Sequence, residues 1–173
     1  PLNFPMPVIG IDLGGTKISG AIFNESARLF HKQSALLNGR RGNEVAGLLC
    51  EIILKLIERA GADGLLIESI GIAVPGIYFA ATERVWAPNI PGWEEFPLKQ
   101  KIQEVLGDNP LKISIDSDRS CYIQGEVWQG AASDCRDAIF LAIGTGIGAG
   151  IISGGKLIHG SRDIAGALGW MAL

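Results

Sequence analysis

The sequence predicts an α/β fold in which a mixed β-sheet is flanked by helices. Two apolar segments, over residues 8–20 and 139–152, each run into a glycine-rich turn and straight out into a second strand, which indicates antiparallel pairs. An apolar helical pattern between them is followed by a continuous apolar run at 67–74, typical of a buried parallel strand reached through a helical crossover. Antiparallel and parallel pairs together make the predicted sheet mixed.

The two glycine-rich segments look like one hairpin used twice. A single constant shift superposes Gly14 on Gly144 and Gly20 on Gly150. Glycine at such a turn permits positive φ and lets an anion approach several converging N–H groups. One such turn alone is also typical of an ordinary tight turn, whereas two copies favour a pair of phosphate loops. Because a strand rather than a helix follows Thr16, neither a P-loop nor a Rossmann turn fits.

The remaining elements follow from hydrophobic periodicity and from turn residues. Besides the second hairpin, strands are predicted at 8–13, 18–23, 28–35, 67–74, 111–115 and 156–159, with a turn at Asn24-Glu25-Ser26. Helices are predicted at 45–60 with Gly61 as the C-cap, at 97–106, at 119–128, and from 161 to 173. The polar stretch 131–137 is predicted to cross from a first lobe to a second.

Composition limits the possible functions. The chain has 173 residues, 47% of them hydrophobic, and a net charge of −3, which gives no electrostatic basis for nucleic-acid binding. Its apolar runs are too short to cross a bilayer and no signal peptide precedes the first strand, so we expect no membrane partner and a cytoplasmic location. Three cysteines without C-x-x-C spacing indicate neither a disulfide framework nor zinc, and Cys50 is expected to be a buried thiol.

Three loops carry candidate site residues. Pro75-Gly76 ends the apolar run at the sheet edge where ligands gather in α/β folds, although a plain turn fits equally well. The stretch 86–93 is rigid and aromatic, and Asn89 offers both a donor and an acceptor; core packing is an equally good explanation for Trp86. Asp118 follows the strand at 111–115 and precedes a helix, where an Asp is ordinarily a cap. The two histidines are expected at ordinary surface or strand-end positions.

Four stretches resemble the ROK family of bacterial sugar kinases and repressors, within the sugar kinase, Hsp70 and actin superfamily. They are I-D-L-G-G-T-K at 11–17, I-G-I-A-V-P-G at 70–76, A-P-N-I-P-G-W at 87–93 and I-G-T-G-I-G-A-G at 143–150. The resemblance implies a ribonuclease H-like, actin-type ATPase lobe over residues 1–132, on the sugar and phosphate side. It also implies that residues 133–173 form the opening β-hairpin of a second, similar lobe, left incomplete.

The resemblance further implies transfer of the γ-phosphoryl group of ATP to a sugar hydroxyl. Asp118 matches the catalytic base, and Asp12 would hold Mg²⁺ through water. Lys17 could neutralise phosphate charge, although a solvated strand lysine fits nearly as well. The nucleotide phosphates would be held by backbone amides of Gly14, Gly15, Thr16, Gly144, Thr145 and Gly146. The sugar would be bound by Gly76, Asn89, Ser117 and Asp118.

Departures from the family pattern cluster at the expected sugar site. Ser117 stands where the E-N-D-A-N pattern has Asn, and Ala167 and Trp170 stand where A-G-E-x-G-H has Glu and His. The loss of these hydrogen-bonding side chains predicts poor binding of an ordinary hexose, or a different and more apolar acceptor. The zinc site that uses the missing His is not expected here.

The resemblance covers only part of the family length, so we expect the chain to be the amino-terminal portion of a sugar kinase, glucokinase-like by default. The rest of the second lobe and much of a homo-oligomer surface would follow Leu173. One alternative is a non-catalytic sugar or phosphate binder. Another is a transcriptional regulator, which is disfavoured because no helix-turn-helix precedes the first strand and no basic patch is present.

Overall fold

The computed structural model describes residues 7–24, 26–144 and 146–171. Glu25, in the predicted turn, and Thr145, in the second glycine-rich turn, lie outside these residues. The elements, in chain order, are β1 (Val8–Leu13), β2 (Lys17–Phe23), β3 (Leu29–Leu36), α1 (Gly42–Ala62), β4 (Ser69–Val74), β5 (Ile77–Phe79), β6 (Arg84–Trp86), α2 (Leu98–Leu106), β7 (Lys112–Ser117), α3 (Asp118–Gln129), β8 (Ala138–Ile143), β9 (Ile147–Ser153) and β10 (Lys156–Leu157). A short 3₁₀ helix, Leu168–Trp170, follows them.

The main sheet is mixed, and its strands lie in the order β3-β2-β1-β4-β7. β1, β2 and β3 form an antiparallel meander, whereas β4 runs parallel to both β1 and β7. The predicted α/β class, the meander and the central parallel strand are therefore confirmed. Because β1, β4 and β7 run in the same direction, their carboxyl ends meet at one edge of the sheet, where the loops after β4 and β7 begin.

α1 provides the crossover from β3 to β4 and covers one sheet face. Val45, Leu49 and Leu56 are fully buried on its inner side. A Cβ on Gly20 would lie 2.9 Å from Leu56 Cδ1 and 2.6 Å from Ile11 Cδ1, so the ends of these side chains would have to shift to admit a larger residue there. The predicted C-cap at Gly61 is wrong. The last helical residue is Ala62, and Asp63 is the C-cap. The helix continues past Gly61 because the left-handed conformation is taken by Gly64 (φ +70°), not by Gly61.

The second hairpin forms a separate sheet in the order β10-β9-β8. Its strands have the same limits, relative to the glycine turn, as β1 and β2, so the duplication is confirmed at the level of strands. The pairing register differs, because Leu13 pairs with Ile18 whereas Ile143 pairs with Ile147. The second turn is therefore one residue tighter. β8 presents three large apolar side chains to solvent, namely Ile139, Leu141 and Ile143.

The helix α3 joins the two sheets. It starts at the end of β7 and packs on the second hairpin, where a Cβ on Gly150 would collide with the Arg119 carbonyl oxygen and lie 2.6 Å from Ile123 Cγ2. Glycine at residue 150 therefore sets how closely α3 approaches β9. This contact holds the first residues of α3 beside the second glycine-rich turn.

The loop 87–96 is more structured than expected, since it packs beside the small antiparallel sheet of β5 and β6, which the sequence did not predict. Trp93 is 1% exposed and stacks on Phe96 with ring centroids 4.4 Å apart. The core-packing alternative therefore holds for Trp93. Trp86 is half-buried and faces the cavity described below.

The helix predicted from residue 161 to 173 is wrong for the described part of that stretch, 161–171. Turns and the short 3₁₀ helix occupy it instead. Gly160, Asp163 and Gly166 all have positive φ, between +57° and +79°, which is incompatible with a right-handed helix. β10 also ends at Leu157 rather than at residue 159. Among the described residues, none of the helices is long and apolar enough to span a membrane.

Candidate active site

A cavity of about 420 Å³ lies where the loop after β4, the start of α3 and the second glycine-rich turn meet. Five of the residues predicted from sequence line it: Gly76, Asn89, Asp118, Gly144 and Gly146. They come from stretches far apart in the chain. Parallel strands bring the loops after β4 and β7 to one sheet edge, and α3 brings the second hairpin to the same place. The volume is sufficient for a monosaccharide.

Asp118 is the acidic group of this cavity. It is the first residue of α3, and its Oδ1 accepts a hydrogen bond of 2.7 Å from the Arg119 backbone N–H. Burial raises the pKa of Asp118, the Arg119 hydrogen bond and charge oppose that rise, and the nearby charge of Asp12 adds to it. A carboxylate with a raised pKa accepts a proton more readily than an ordinary Asp does, which suits a general base.

Ser117 does not line the cavity. It is buried at the N-cap of α3, where its side chain accepts a 3.3 Å hydrogen bond from the Ser120 N–H and donates one of 2.8 Å to Ser120 Oγ. Capping therefore accounts for the hydroxyl of Ser117. The structure gives no support to the predicted contact between Ser117 and a sugar.

The first glycine-rich turn reaches the cavity through Asn89. A Cβ on Gly15 would lie 3.2 Å from Asn89 Cβ, so the two loops touch. Gly15, Thr16 and Lys17 are exposed beside this contact. The Gly14 N–H donates to the Lys17 carbonyl at 2.8 Å and thus closes its own turn. Gly14 therefore shapes the loop, and the predicted phosphate contact through its amide does not fit this geometry.

In the second glycine-rich turn, as in the first, one glycine amide is used to close the turn itself. The Gly144 N–H donates to the Gly146 carbonyl at 2.9 Å, so this amide is also used within its turn. Gly146 remains at the cavity wall, and Thr145 lies outside the described residues. Of the six predicted phosphate-binding amides, those of Gly14 and Gly144 close turns, and that of Thr145 lies outside the described residues. For Gly15, Thr16 and Gly146 the contact stays a prediction.

Asp12 is exposed at the end of β1, and it lines a second, more apolar groove of about 830 Å³ rather than the cavity itself. It is nonetheless close enough for its charge to raise the pKa of Asp118. Within residues 7–24, 26–144 and 146–171, no cluster of three His, Cys, Asp or Glu side chains could hold a metal ion. A single exposed carboxylate suits Mg²⁺, which commonly binds one or two carboxylates plus waters and substrate phosphates.

The sequence did not identify Arg119 as a site residue. Its Nε donates to the Ala165 carbonyl at 3.3 Å and its Nη1 to the Gly76 carbonyl at 3.4 Å, which links two walls of the cavity. Burial lowers the pKa of this guanidinium, while Asp118 and Asp116 oppose the effect. The available signal was an Arg directly after Asp118, where the E-N-D-A-N pattern has Ala.

His159 was expected at an ordinary strand-end position, but it has a specific partner. Its Nε2 lies 2.7 Å from Asp116 Oδ2 at the end of β7. The pair ties the segment after β10 to the main sheet, next to the cavity. Neither residue lines the cavity, so the contact supports the site rather than forming it.

A mixed sheet that contains a glycine-turn hairpin, followed by a second such hairpin across a cleft, defines an actin-like α/β ATPase fold. A family model described as the ROK family matches residues 8–173. The chain therefore belongs to the ROK family.

Individual relatives agree with this assignment. The chain is 29% identical to a glucokinase of Halalkalibacterium halodurans, over 93% of this chain and 48% of that relative. It is 28% identical to an N-acetyl-D-glucosamine kinase of Salmonella gallinarum, over 95% of this chain and 52% of that relative. A crystal structure of a ROK family glucokinase from Streptomyces griseus in complex with glucose and AMPPNP superposes with a TM-score of 0.82 at 30% identity, over 95% of this chain and 50% of that one. The chain thus spans about half the length of the relatives it matches.

Proposed function

We propose that this chain is part of an ATP-dependent sugar kinase, which transfers the γ-phosphoryl group of ATP to a hydroxyl of a hexose or related sugar. The observation that carries the proposal is the position of Asp118. Its partly buried carboxylate, with a raised pKa, borders a cavity of sugar size that the second glycine-rich turn also lines. The glucokinase that was solved with glucose and AMPPNP supports the same pair of ligands for this chain.

In this function Asp118 accepts the proton of the attacking sugar hydroxyl. Asn89 offers an amide donor and a carbonyl acceptor from the opposite wall, and the Gly76 loop completes the sugar side. Gly15 and Thr16 are exposed, Gly15 contacts Asn89, and their backbone amides would bind the nucleotide phosphates. Bound ATP with Mg²⁺ supplies the phosphoryl group and part of the charge neutralisation, and Asp12 is the carboxylate placed to hold the cation.

The division into lobes at residues 132 and 133 belongs to the same proposal, because the cavity lies between the main sheet and the second hairpin. A kinase of this kind acts in the cytoplasm, where ATP is available, on a small-molecule sugar without nucleic-acid or membrane partners. We further propose that the whole protein is a homo-oligomer.

The test is Asp118→Asn, made in the longest reading frame that carries these residues. General base catalysis contributes about 10²- to 10⁴-fold, so an ADP-release assay over hexoses and N-acetylhexosamines should show a loss of kcat in that range. Affinity for a non-hydrolysable ATP analogue should stay nearly unchanged. Asp134→Asn, at an exposed position outside the cavity, controls for the loss of one negative charge. Unchanged turnover of the Asp118→Asn variant would exclude the assignment.

A non-catalytic sugar or phosphate binder is the second candidate, favoured by Ala167. This residue lines the cavity with a methyl group and offers no side-chain hydrogen bond to a sugar hydroxyl. Thermal shift with ATP·Mg²⁺ against a panel of sugars separates the candidates when combined with the ADP-release assay. Stabilisation by sugar without ADP release supports the binder.

A further inference from the structure

The wall of the cavity contains one cation whose hydrogen-bonding capacity is largely unused. A guanidinium has five N–H donors. Arg119 donates one hydrogen bond to the Ala165 carbonyl at 3.3 Å and one to the Gly76 carbonyl at 3.4 Å. Its Nη2 is buried and, among the described residues, has no hydrogen-bond partner. An unpaired buried donor of a charged group is costly, so this arrangement is poised to gain a partner.

No carboxylate neutralises this cation. The ion pairs within 4.0 Å among residues 7–24, 26–144 and 146–171 do not include Arg119. Asp118 and Asp116 lie near enough to influence its pKa without pairing with it. Asp118 and Arg119 are the only charged residues among the described ones that line the cavity. The cavity therefore contains one carboxylate and one guanidinium that form no ion pair with each other.

The two carbonyl contacts connect the guanidinium to the Gly76 loop and to the segment around Ala165. Gly76 lies in the loop after β4, and Ala165 lies in the turn segment that leads to Ala167. Gly15 instead contacts Asn89. Because the Gly76 loop is on the sugar side of the proposed site, we expect an anion that meets Arg119 there to belong to the acceptor. Both carbonyl contacts are long for N–H···O bonds, so the guanidinium can turn into the cavity at little cost.

We propose that Arg119 makes this site selective for an anionic acceptor, a sugar that carries a carboxylate or a phosphate, in contrast to a neutral hexose. The inference rests on the proposed sugar-kinase function and specifies its substrate class. The planar fork of arginine matches both anions through paired N–H donors. Asp118 keeps its role as base, and Arg119 offsets its repulsion of an anionic acceptor.

The experiment compares the binding of D-glucuronate, D-glucose 1-phosphate and D-glucose by calorimetry, in the chain and in the longest reading frame that carries it. A charge-assisted bond predicts that one or both anionic sugars bind about 10- to 100-fold more tightly than glucose. Tighter binding of glucuronate alone identifies a sugar acid as the acceptor, and tighter binding of glucose 1-phosphate alone identifies a sugar phosphate.

Arg119→Met removes the charge but keeps the length of the side chain, and it should abolish the preference for the anionic sugars over glucose. Arg119→Lys should retain part of the preference. Arg136→Met removes a charge at an exposed position outside the cavity and should leave the preference intact.

A parent protein that binds glucose as well as either anion overturns the inference. So does an Arg119→Met variant that weakens all three sugars equally, because that result makes Arg119 a structural link between the cavity walls. If glucose is bound and phosphorylated while the anions are not, the kinase proposal stands and this inference fails. If neither sugars nor a non-hydrolysable ATP analogue bind, both fail.

Discussion

Replacing Gly150 by Ala should destabilise the contact that holds Asp118 in place. The added methyl group would meet the Arg119 carbonyl oxygen and the Ile123 side chain at once. A backbone carbonyl in a helix cannot move aside as a flexible side chain does, so α3 must shift away from β9. Overpacking costs about 1 to 3 kcal/mol, and we expect the upper end because one obstacle is backbone.

The magnitude can be measured by thermal unfolding. For a chain of this size, a loss of about 3 kcal/mol lowers Tm by about 6 to 12 °C. Gly148→Ala is the matched control, since it lies in the same strand on the same face, and its Cβ would meet Arg119 Cδ at 3.4 Å and the Gly166 carbonyl oxygen at 3.8 Å, both ordinary contact distances. We expect a Tm change below about 3 °C for the control, consistent with a cost under about 1 kcal/mol. Equal Tm values for the two variants would refute the packing argument.

The remaining predictions concern ionisation and thiol reactivity. Because burial raises the pKa of Asp118, the folded state keeps a proton on this carboxyl to higher pH than the unfolded state does. The free energy of unfolding of the protein should therefore fall as pH rises from about 4 through the raised pKa. In urea unfolding at a series of pH values, Asp118→Asn should remove that fall. A difference between parent and variant that does not change with pH would contradict this. Cys135 is exposed, whereas burial raises the pKa of Cys50 and raises that of Cys121 to about 12. Iodoacetamide at pH 7.5 should therefore modify Cys135 first, as peptide mass spectrometry would show, and faster labelling of Cys121 would count against the structure.

Local patterns were sufficient to predict most of the fold. The glycine-turn hairpins, the meander and the helix at 42–62 depend on neighbouring residues, so periodicity revealed them. β5 and β6 have only three residues each, too few for an alternating pattern to emerge. The stretch from 161 contains apolar residues at helix-like spacing, but positive φ at Asp163 and Gly166 prevents a helix there.

In the candidate site, too, features that depend on local sequence could be predicted, and features that depend on distant residues could not. Gly76 and Asp118 were predictable because they follow β4 and β7, whose parallel direction brings both to one edge of the sheet. Asn89 was indicated by its rigid aromatic loop instead. Arg119 and the pair of His159 with Asp116 were not, since their partners lie about 40 residues away or more along the chain. The turn-closing bonds of Gly14 and Gly144 depend on backbone orientation, which the residue types alone leave open.

The two hairpins are similar in sequence, but their strands differ greatly in burial. Ile9, Ile11 and Leu13 are buried in the core that α1 covers, whereas their counterparts in β8 remain up to 75% exposed. Burial of such a side chain contributes about 2 kcal/mol, so the second hairpin forgoes several kcal/mol that the first one gains. The first sheet should consequently open only with global unfolding, while β8 and β9 open locally and exchange their amide hydrogens sooner. In a chain of these residues alone, the cavity wall formed by the second hairpin should thus open before the wall formed by the first sheet.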